Sequence, residues 1–404
     1  MGSATLLPGP ESPDLHLSQP TPEECTQIWS TTAASWKDSL TVPLYIAEAQ
    51  YLATVPLARD EGVTRWVLIF CSCESFRKRC LASDERGNVE EGVVHGIASV
   101  FCPPEYRGRG YGTRHMRELA EVLRGWQSER YGKSTASVLY SDVGKEYYAR
   151  VGWLPTSRNG HFVFPCVRVG MEKPALARLV SESELGILCS RDEAIVRSAM
   201  ATPGTVRKRV VILPDLDHML WHIRKEDFAV DYIFGGKKAE AKGAIAGSPG
   251  KQVWAVWVRR YYGHPDRSDE EGEEEGGNGN GNGNVLYILR LVVEGDDTAN
   301  RPHESRQLPP AATDAYVDQA AALKAVIQAA QAEAAKWRLG QVKLWEPSPL
   351  VQSLLEQSDL GATRVERQES SIASVLWFRE DGVGDDEDED EAPVWVNNEY
   401  YAWC

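Results

Sequence analysis

The chain has 404 residues, 42% of them hydrophobic and 9% aromatic, which suits packed interiors and, at this length, two domains. Its formal net charge of −15 is mostly local: the run from Asp269 to Glu275 carries six acidic side chains and that from Asp385 to Glu391 seven, leaving about −2 elsewhere. A near-neutral body with two acidic loops excludes nucleic acid and anionic membrane as expected partners.

No hydrophobic run approaches the ~20 residues that a membrane helix requires, and the N-terminus lacks a basic-then-apolar signal pattern, so a cytoplasmic protein is expected. The eight cysteines are scattered without CxxC pairing, which predicts reduced thiols and no metal site.

Residues 1–13, rich in Pro, Gly and Ser, read as a flexible arm. Thr21-Pro22-Glu23-Glu24 is a helix start, with helical pattern running to about Ala58. Two β-rich stretches follow, Thr64 to Cys71 and Phe76 to Leu81, then an apolar, β-branched strand from Val93 to Cys102. Met116, Leu119, Leu123 and Trp126 recur at helical spacing directly behind a Gly-rich turn. A strand near Ser134 to Tyr140 and a short helix ending at Gly152 come next, and Arg158-Asn159-Gly160 signals a hairpin.

Pro203-Gly204 marks a domain boundary. Beyond it, strands are expected at Val253 to Arg259 and Val285 to Val293, separated by an acidic, Gly-Asn-repeat insertion at 266–284. A long helix from Ala312 to Leu339 follows, then a strand (Gln341 to Trp345), a short helix (Pro349 to Gln357), a strand (Ser371 to Phe378) and a strand-like tail (Val394 to Trp403). This repeats the element order of the first half, so a degenerate structural duplicate is expected.

The string Pro104-Glu105-Tyr106-Arg107-Gly108-Arg109-Gly110-Tyr111-Gly112-Thr113 joins a strand end to a helix N-terminus. Alternating glycines let backbone N–H groups converge on a ligand, the helix dipole adds positive potential, and Arg107 and Arg109 supply forked donors. These features suit a pyrophosphate. The turn alone is equally compatible with a tight strand-to-helix connection, and it is neither a Walker loop nor a dinucleotide fingerprint.

Arg107, Gly110 and Gly112 match the Arg/Gln-x-x-Gly-x-Gly/Ala signature, and Tyr147-Tyr148-Ala149-Arg150-Val151-Gly152-Trp153 a second block, of the GNAT acetyltransferase superfamily, which residues 14 to 170 thus resemble. More narrowly, the chain is similar to the fungal lysine N6-acetyltransferases of lysine catabolism. That similarity lies in Glu11 to Leu15, Ser72 to Arg79, Leu213 to Asp215, Trp221 to Phe228 and Tyr400 to Cys404. It implies an α/β protein. An N-terminal GNAT fold, a mixed central sheet flanked by helices, would span 14–200, and a C-terminal α+β domain, a degenerate GNAT-like duplicate, 206–404. The implied reaction is acetyl-CoA-dependent acetylation of the side-chain amine of free L-lysine. A protein, peptide or polyamine acceptor is the alternative, and a non-catalytic CoA-binding protein a second.

By the same resemblance, Phe101, Cys102 and Ser141 would flank pantetheine, while Arg107, Gly108, Arg109, Gly110, Tyr111, Gly112 and Thr113 would hold the diphosphate. Tyr148 would act as general acid. The place where relatives carry a basic glutamate is Gly96, and strand alternation turns the neighbouring His95 to the other face. The aromatic tail from Tyr400 to Cys404 motivates Glu399 or the terminal carboxylate of Cys404 as the expected base, with a tail strand that only completes the sheet as the alternative. The block they sit in makes His222, Arg224 and Asp231 the expected acceptor contacts.

Overall fold

A computed structural model describes residues 7–166, 177–205, 208–266, 283–296, 314–378 and 393–403. The insertion expected at 266–284 lies outside them except at its ends, and so does Cys404.

Helix α1 (Pro22–Trp36) begins at a capping box, in which Thr21 Oγ1 accepts from Glu24 N and Glu24 Oε2 accepts from Thr21 N. The helical stretch expected to reach Ala58 is two helices. Asp38, at φ +49°, turns the chain before α2 (Val42–Leu52). Strands β1 (Val63–Leu68), β2 (Cys71–Asp84) and β3 (Val89–Phe101) form an antiparallel meander. Helix α3 (Tyr111–Leu123) buries Met116, Leu119 and Leu123 completely. After the short α4 (Ser128–Tyr131), β4 (Ser134–Ser141) returns parallel to β3. Then come α5 (Glu146–Ala149) and β5 (Leu154–Pro155).

The remaining elements are β6 (Gly160–Pro165), β7 (Ala177–Val180), α6 (Glu182–Met200), β8 (Lys208–Ile212), α7 (Leu216–Phe234), β9 (Gly243–Ala246), β10 (Val253–Arg260), β11 (Val285–Val293), α8 (Asp314–Lys336), β12 (Gln341–Trp345), α9 (Pro349–Glu356), β13 (Thr363–Glu366), β14 (Ile372–Trp377) and β15 (Val394–Trp395). Within α8, Val326, Ile327, Ala330 and Ala334 are fully buried. The tail expected to be a strand is extended only at β15, and a 3₁₀ turn over Tyr400–Ala402 follows.

Among the described residues the strands make two mixed sheets. One runs β15-β8-β2-β3-β4-β14-β5 with β1 beside β2, the other β13-β6-β12-β11-β10-β9-β7. The second half repeats the plan of the first, with parallel β3–β4 answered by parallel β11–β12. Each half also lends a strand to the other. Antiparallel β14 lies against β4, and antiparallel β6 lies against β12. Strands β7 and β8 cross over likewise, β7 joining β9 and β8 joining β2.

The boundary expected between 200 and 206 therefore does not separate the sheets. Nor is 158–160 a hairpin, because β5 and β6 belong to different sheets. Asn159 sits at this crossing, buried, accepting from Ala373 N at 2.7 Å and donating to Thr156 O at 3.1 Å. The expected flexible arm also has contacts from Leu7 onward: Tyr111 Oη donates to Pro8 O at 2.7 Å.

A fragment ending at residue 200 lacks β8 and β14 and leaves both β2 and β4 with open edges. We predict that it will be recovered only as aggregate, with no cooperative unfolding transition by circular dichroism. A sharp transition would show that the sheets are separable.

Candidate functional site

The ladder between β3 and β4 runs from Val93↔Ser134 to Ile97↔Leu139 and stops, although β3 continues to Phe101 and β4 to Ser141. A bulge lies just beyond. Ser72 pairs with Phe101 and Glu74 with Ala98, so Cys73 faces both Ser99 and Val100, and Ser99 has φ +55°. The bulged end of β3 thus offers main-chain donors and acceptors on the side of β4.

The Gly-rich turn follows. Gly108 and Gly110 have φ +72° and +87°, and Gly110 is the residue before α3, with no side chain capping the helix start. Arg107, Gly108, Arg109 and Gly110 are exposed. Arg107 Nε donates to Cys102 O at 2.9 Å, and its guanidinium stands 5.8 Å from the Phe101 ring, while that of Arg109 stands 5.8 Å from the Tyr106 ring. Gly112 has a different task, since a Cβ there would meet Tyr147 Oη at 2.8 Å. It admits the Tyr147 phenol, which also hydrogen-bonds Thr113. The Ser141 hydroxyl is turned into its own loop, donating to Gly144 O at 2.6 Å and accepting from Val143 N.

A cavity of about 290 Å³ opens beside the bulge. Tyr148, Ser99 and Glu74 line it, with Trp29, Trp36, Tyr45, Trp221 and Trp403 among its aromatic walls. Burial holds the Tyr148 hydroxyl well above the usual phenol range, so it carries its proton throughout the neutral range. Glu74 accepts from Arg65 Nε at 3.0 Å and from Ser99 Oγ at 3.3 Å. Two further ion pairs reach the wall: Lys225 with Glu48 at 2.6 Å, and Arg260 with Asp38 at 2.9 Å.

Three residues expected to contact the acceptor lie on α7 but off this cavity. His222 is buried, driven down to about 3 by desolvation and hence neutral, with its Nε2 at 3.2 Å from Tyr401 O. Arg224 is bound to Glu182 and Asp227. Asp231 is exposed and its main-chain oxygen receives Gly235 and Gly236 at the helix end. The same helix presents Trp221 and Lys225 instead, one step along the chain and so about 100° around the axis. Glu74 falls within the Ser72 to Arg79 block that carries the resemblance, and it lines the cavity together with Ser72, Cys73 and Phe76.

Glu399 does not line the cavity. Its carboxylate is ion-paired with Arg290 and accepts from Leu291 N at 2.9 Å. Burial pushes it up to about 7, against the pull of Arg290. That value would suit a base, but the geometry gives the group to the fold. Cys404 lies outside the described residues, and its neighbour Trp403 is a cavity wall. Among the described residues, no cluster of three or more His, Cys, Asp or Glu could hold a metal ion, and no helix is long and apolar enough to cross a membrane.

Comparison with known proteins gives two family matches: the acetyltransferase (GNAT) family over residues 70–153, and the LYC1 GNAT-like C-terminal domain over residues 161–404. A lysine acetyltransferase from Yarrowia lipolytica is 22% identical over 156 residues, a match spanning 34% of this chain and 39% of that protein. A GCN5-related N-acetyltransferase from Kribbella flavida superposes with a TM-score of 0.45 at 16% identity, covering 90% of this chain and 70% of the other. N-myristoyltransferase from Saccharomyces cerevisiae, solved with myristoyl-CoA, gives 0.47 at 8% identity, covering 93% and 85%. With the C-terminal match alone spanning more than half of its length, the chain belongs to the GNAT acetyltransferase family, in the branch that carries the LYC1 GNAT-like C-terminal domain.

Proposed function

We propose that this protein transfers the acetyl group of acetyl-CoA to the side-chain amine of free L-lysine. The observation that carries this reading is the cavity of about 290 Å³ joining Tyr148 and the bulged end of β3 to charged groups on aromatic walls. Its volume lies just below the ~300–1,000 Å³ range of ligand pockets, which favours a single amino acid over a peptide. The likeness of part of the chain to a yeast protein named as a lysine acetyltransferase supports the same acceptor.

The residues present fit acetyl-CoA. The open edge of β3 suits amide groups of pantetheine, and the exposed turn from Arg107 to Gly110 suits the diphosphate. Acetyl-CoA supplies a thioester carbonyl open to attack by an amine. A lysine ε-amine has a pKa of about 10.4, so its deprotonation at pH 7 costs about 4.6 kcal/mol, and a base must take the proton. Glu74, hydrogen-bonded to the bulge residue Ser99, fills that role in place of the buried Glu399. Main-chain N–H groups at the end of β3 would stabilise the oxygen that gains charge. As the carbon–sulfur bond breaks, Tyr148 protonates the departing thiolate, and the second proton shed by the acetylated nitrogen restores the phenol.

Purified protein with acetyl-CoA and a panel of amino acids, polyamines and peptides should release thiol with lysine; release with peptides only would refute the acceptor. Tyr148→Phe should lower kcat by about 10²–10⁴-fold while CoA affinity, measured by calorimetry, stays within error. Glu74→Gln should lower kcat at pH 7 and recover part of the loss as pH rises towards the pKa of the free amine; a pH-independent loss would remove Glu74 as the base.

Gly110→Ala combines a positive φ with a Cβ at 3.1 Å from Pro10, so it should cost about 1–2 kcal/mol of stability and weaken CoA binding. Gly125→Ala, where a Cβ meets nothing within 4 Å, is the matched control, and melting curves with CoA titration compare the two.

A further inference from the structure

We infer that the Glu48–Lys225 ion pair, together with Arg260, grips the α-amino and α-carboxylate groups of the acceptor, so that the protein selects a free amino acid by a zwitterion remote from the reacting amine. This rests on the amine-acceptor reading above and assigns its specificity.

The reacting end of the cavity is marked by Tyr148, Ser99 and Glu74. The second charged group comes from other elements: Glu48 from α2, Lys225 from α7 and Arg260 from the last position of β10. Tyr45 lines the same cavity as Glu74 and Glu48. The walls there include Trp36, Trp221 and Leu52, which suit a methylene chain.

The polar groups at this end are not fully used by the fold. Glu48 is only 2% exposed and receives Lys225 Nζ at 2.6 Å. Lys225 has three donors and spends one on Glu48. Arg260 gives a terminal nitrogen to Asp38, and its buried Nε has no hydrogen-bond partner among the described residues. Buried donors are rarely left unpaired, because each forfeits its bonds to water. A carboxylate arriving beside Lys225 and Arg260 would take the remaining Lys225 donors and pair with both positive charges, and an ammonium would take the remaining face of Glu48. Glu48, Lys225 and Arg260 also border a smaller adjoining space of about 20 Å³, the size of one water.

The arrangement discriminates by charge. A diamine lacking the carboxylate could still set its ammonium on Glu48, but it would leave the remaining Lys225 donors and the Arg260 charge without the anion that lysine brings.

The test compares L-lysine with 1,5-diaminopentane, which has the same reacting amine and no carboxylate, in the full-length protein. The unaltered enzyme should favour lysine by at least about tenfold in kcat/KM. Lys225→Met should raise the KM for lysine at least about tenfold with a much smaller change in kcat, and collapse the preference. The double variant Glu48→Gln/Lys225→Gln keeps a hydrogen-bonded pair without charge and should lose the preference too; melting temperature and CoA titration verify its fold. Lysine turnover with an unaltered preference in both variants overturns the inference and leaves the lysine reading standing, as does an equal loss with both acceptors. Absence of lysine turnover in the unaltered enzyme overturns both.

Discussion

The structure hangs on one buried cation. Arg290 in β11 reaches Asp192 of α6 through two bonds of 2.8 Å and meets Glu399 of the C-terminal segment on its other side. All three side chains are nearly sealed from water. Such a group is a weak source of net stability, but removing one partner strands a charge and costs about 3–5 kcal/mol. Its effect is positional. With Glu399 fixed, Lys78 of β2 donates to Ala402 O at 2.5 Å and Tyr401 Oη donates to Ile212 O at 2.6 Å. The segment is thereby bound to both sheets, and Trp403 is delivered to the cavity wall, packed 5.4 Å from Tyr400.

The site also draws on a local departure from regular pairing. If β3 and β4 stayed in register to their ends, their amides would satisfy one another and present nothing to a ligand. Pairing of β3 with β4 ends at Ile97, the bulge against β2 follows at Ser99, and the hydroxyl of that residue is tied to Glu74, which Arg65 holds from β1. Strain in the backbone, a hydrogen-bonded carboxylate and a free sheet edge are therefore one feature seen at three levels, the usual setting of strained residues at functional positions.

Much of this was legible from residue order. The α3 stripe from Met116 to Leu123, the strand from Val285 to Val293 and that from Gln341 to Trp345 follow from periodicity and apolar runs, and they stand where those signals put them. Trp126, expected on the same stripe, lies past the end of the helix. The turn at Arg107 to Gly112 follows from glycine spacing. The lent strands do not, because an apolar run reports that a strand is buried and not which neighbour buries it. Ile372 to Trp377 reads the same beside β12 as beside β4. On the helix carrying Trp221 to Phe228 the face that lines the cavity is offset from the expected one, since a single residue of phase separates Lys225 from Arg224. Glu399 misled for a further reason: an acidic residue in an aromatic tail suggests chemistry, and the cation that consumes it lies 109 positions away.

The lent strands bear on the order in which the protein can be made. Strand β4 leaves the ribosome early, yet the neighbour on its far side, β14, is synthesised more than 200 residues later. Through that interval the nascent chain carries a long, apolar, unpaired edge, the condition under which chains associate wrongly. Neither sheet can close during translation of the first half. Expression of this protein is therefore expected to depend on chaperone capacity and elongation rate more than its final packing would suggest.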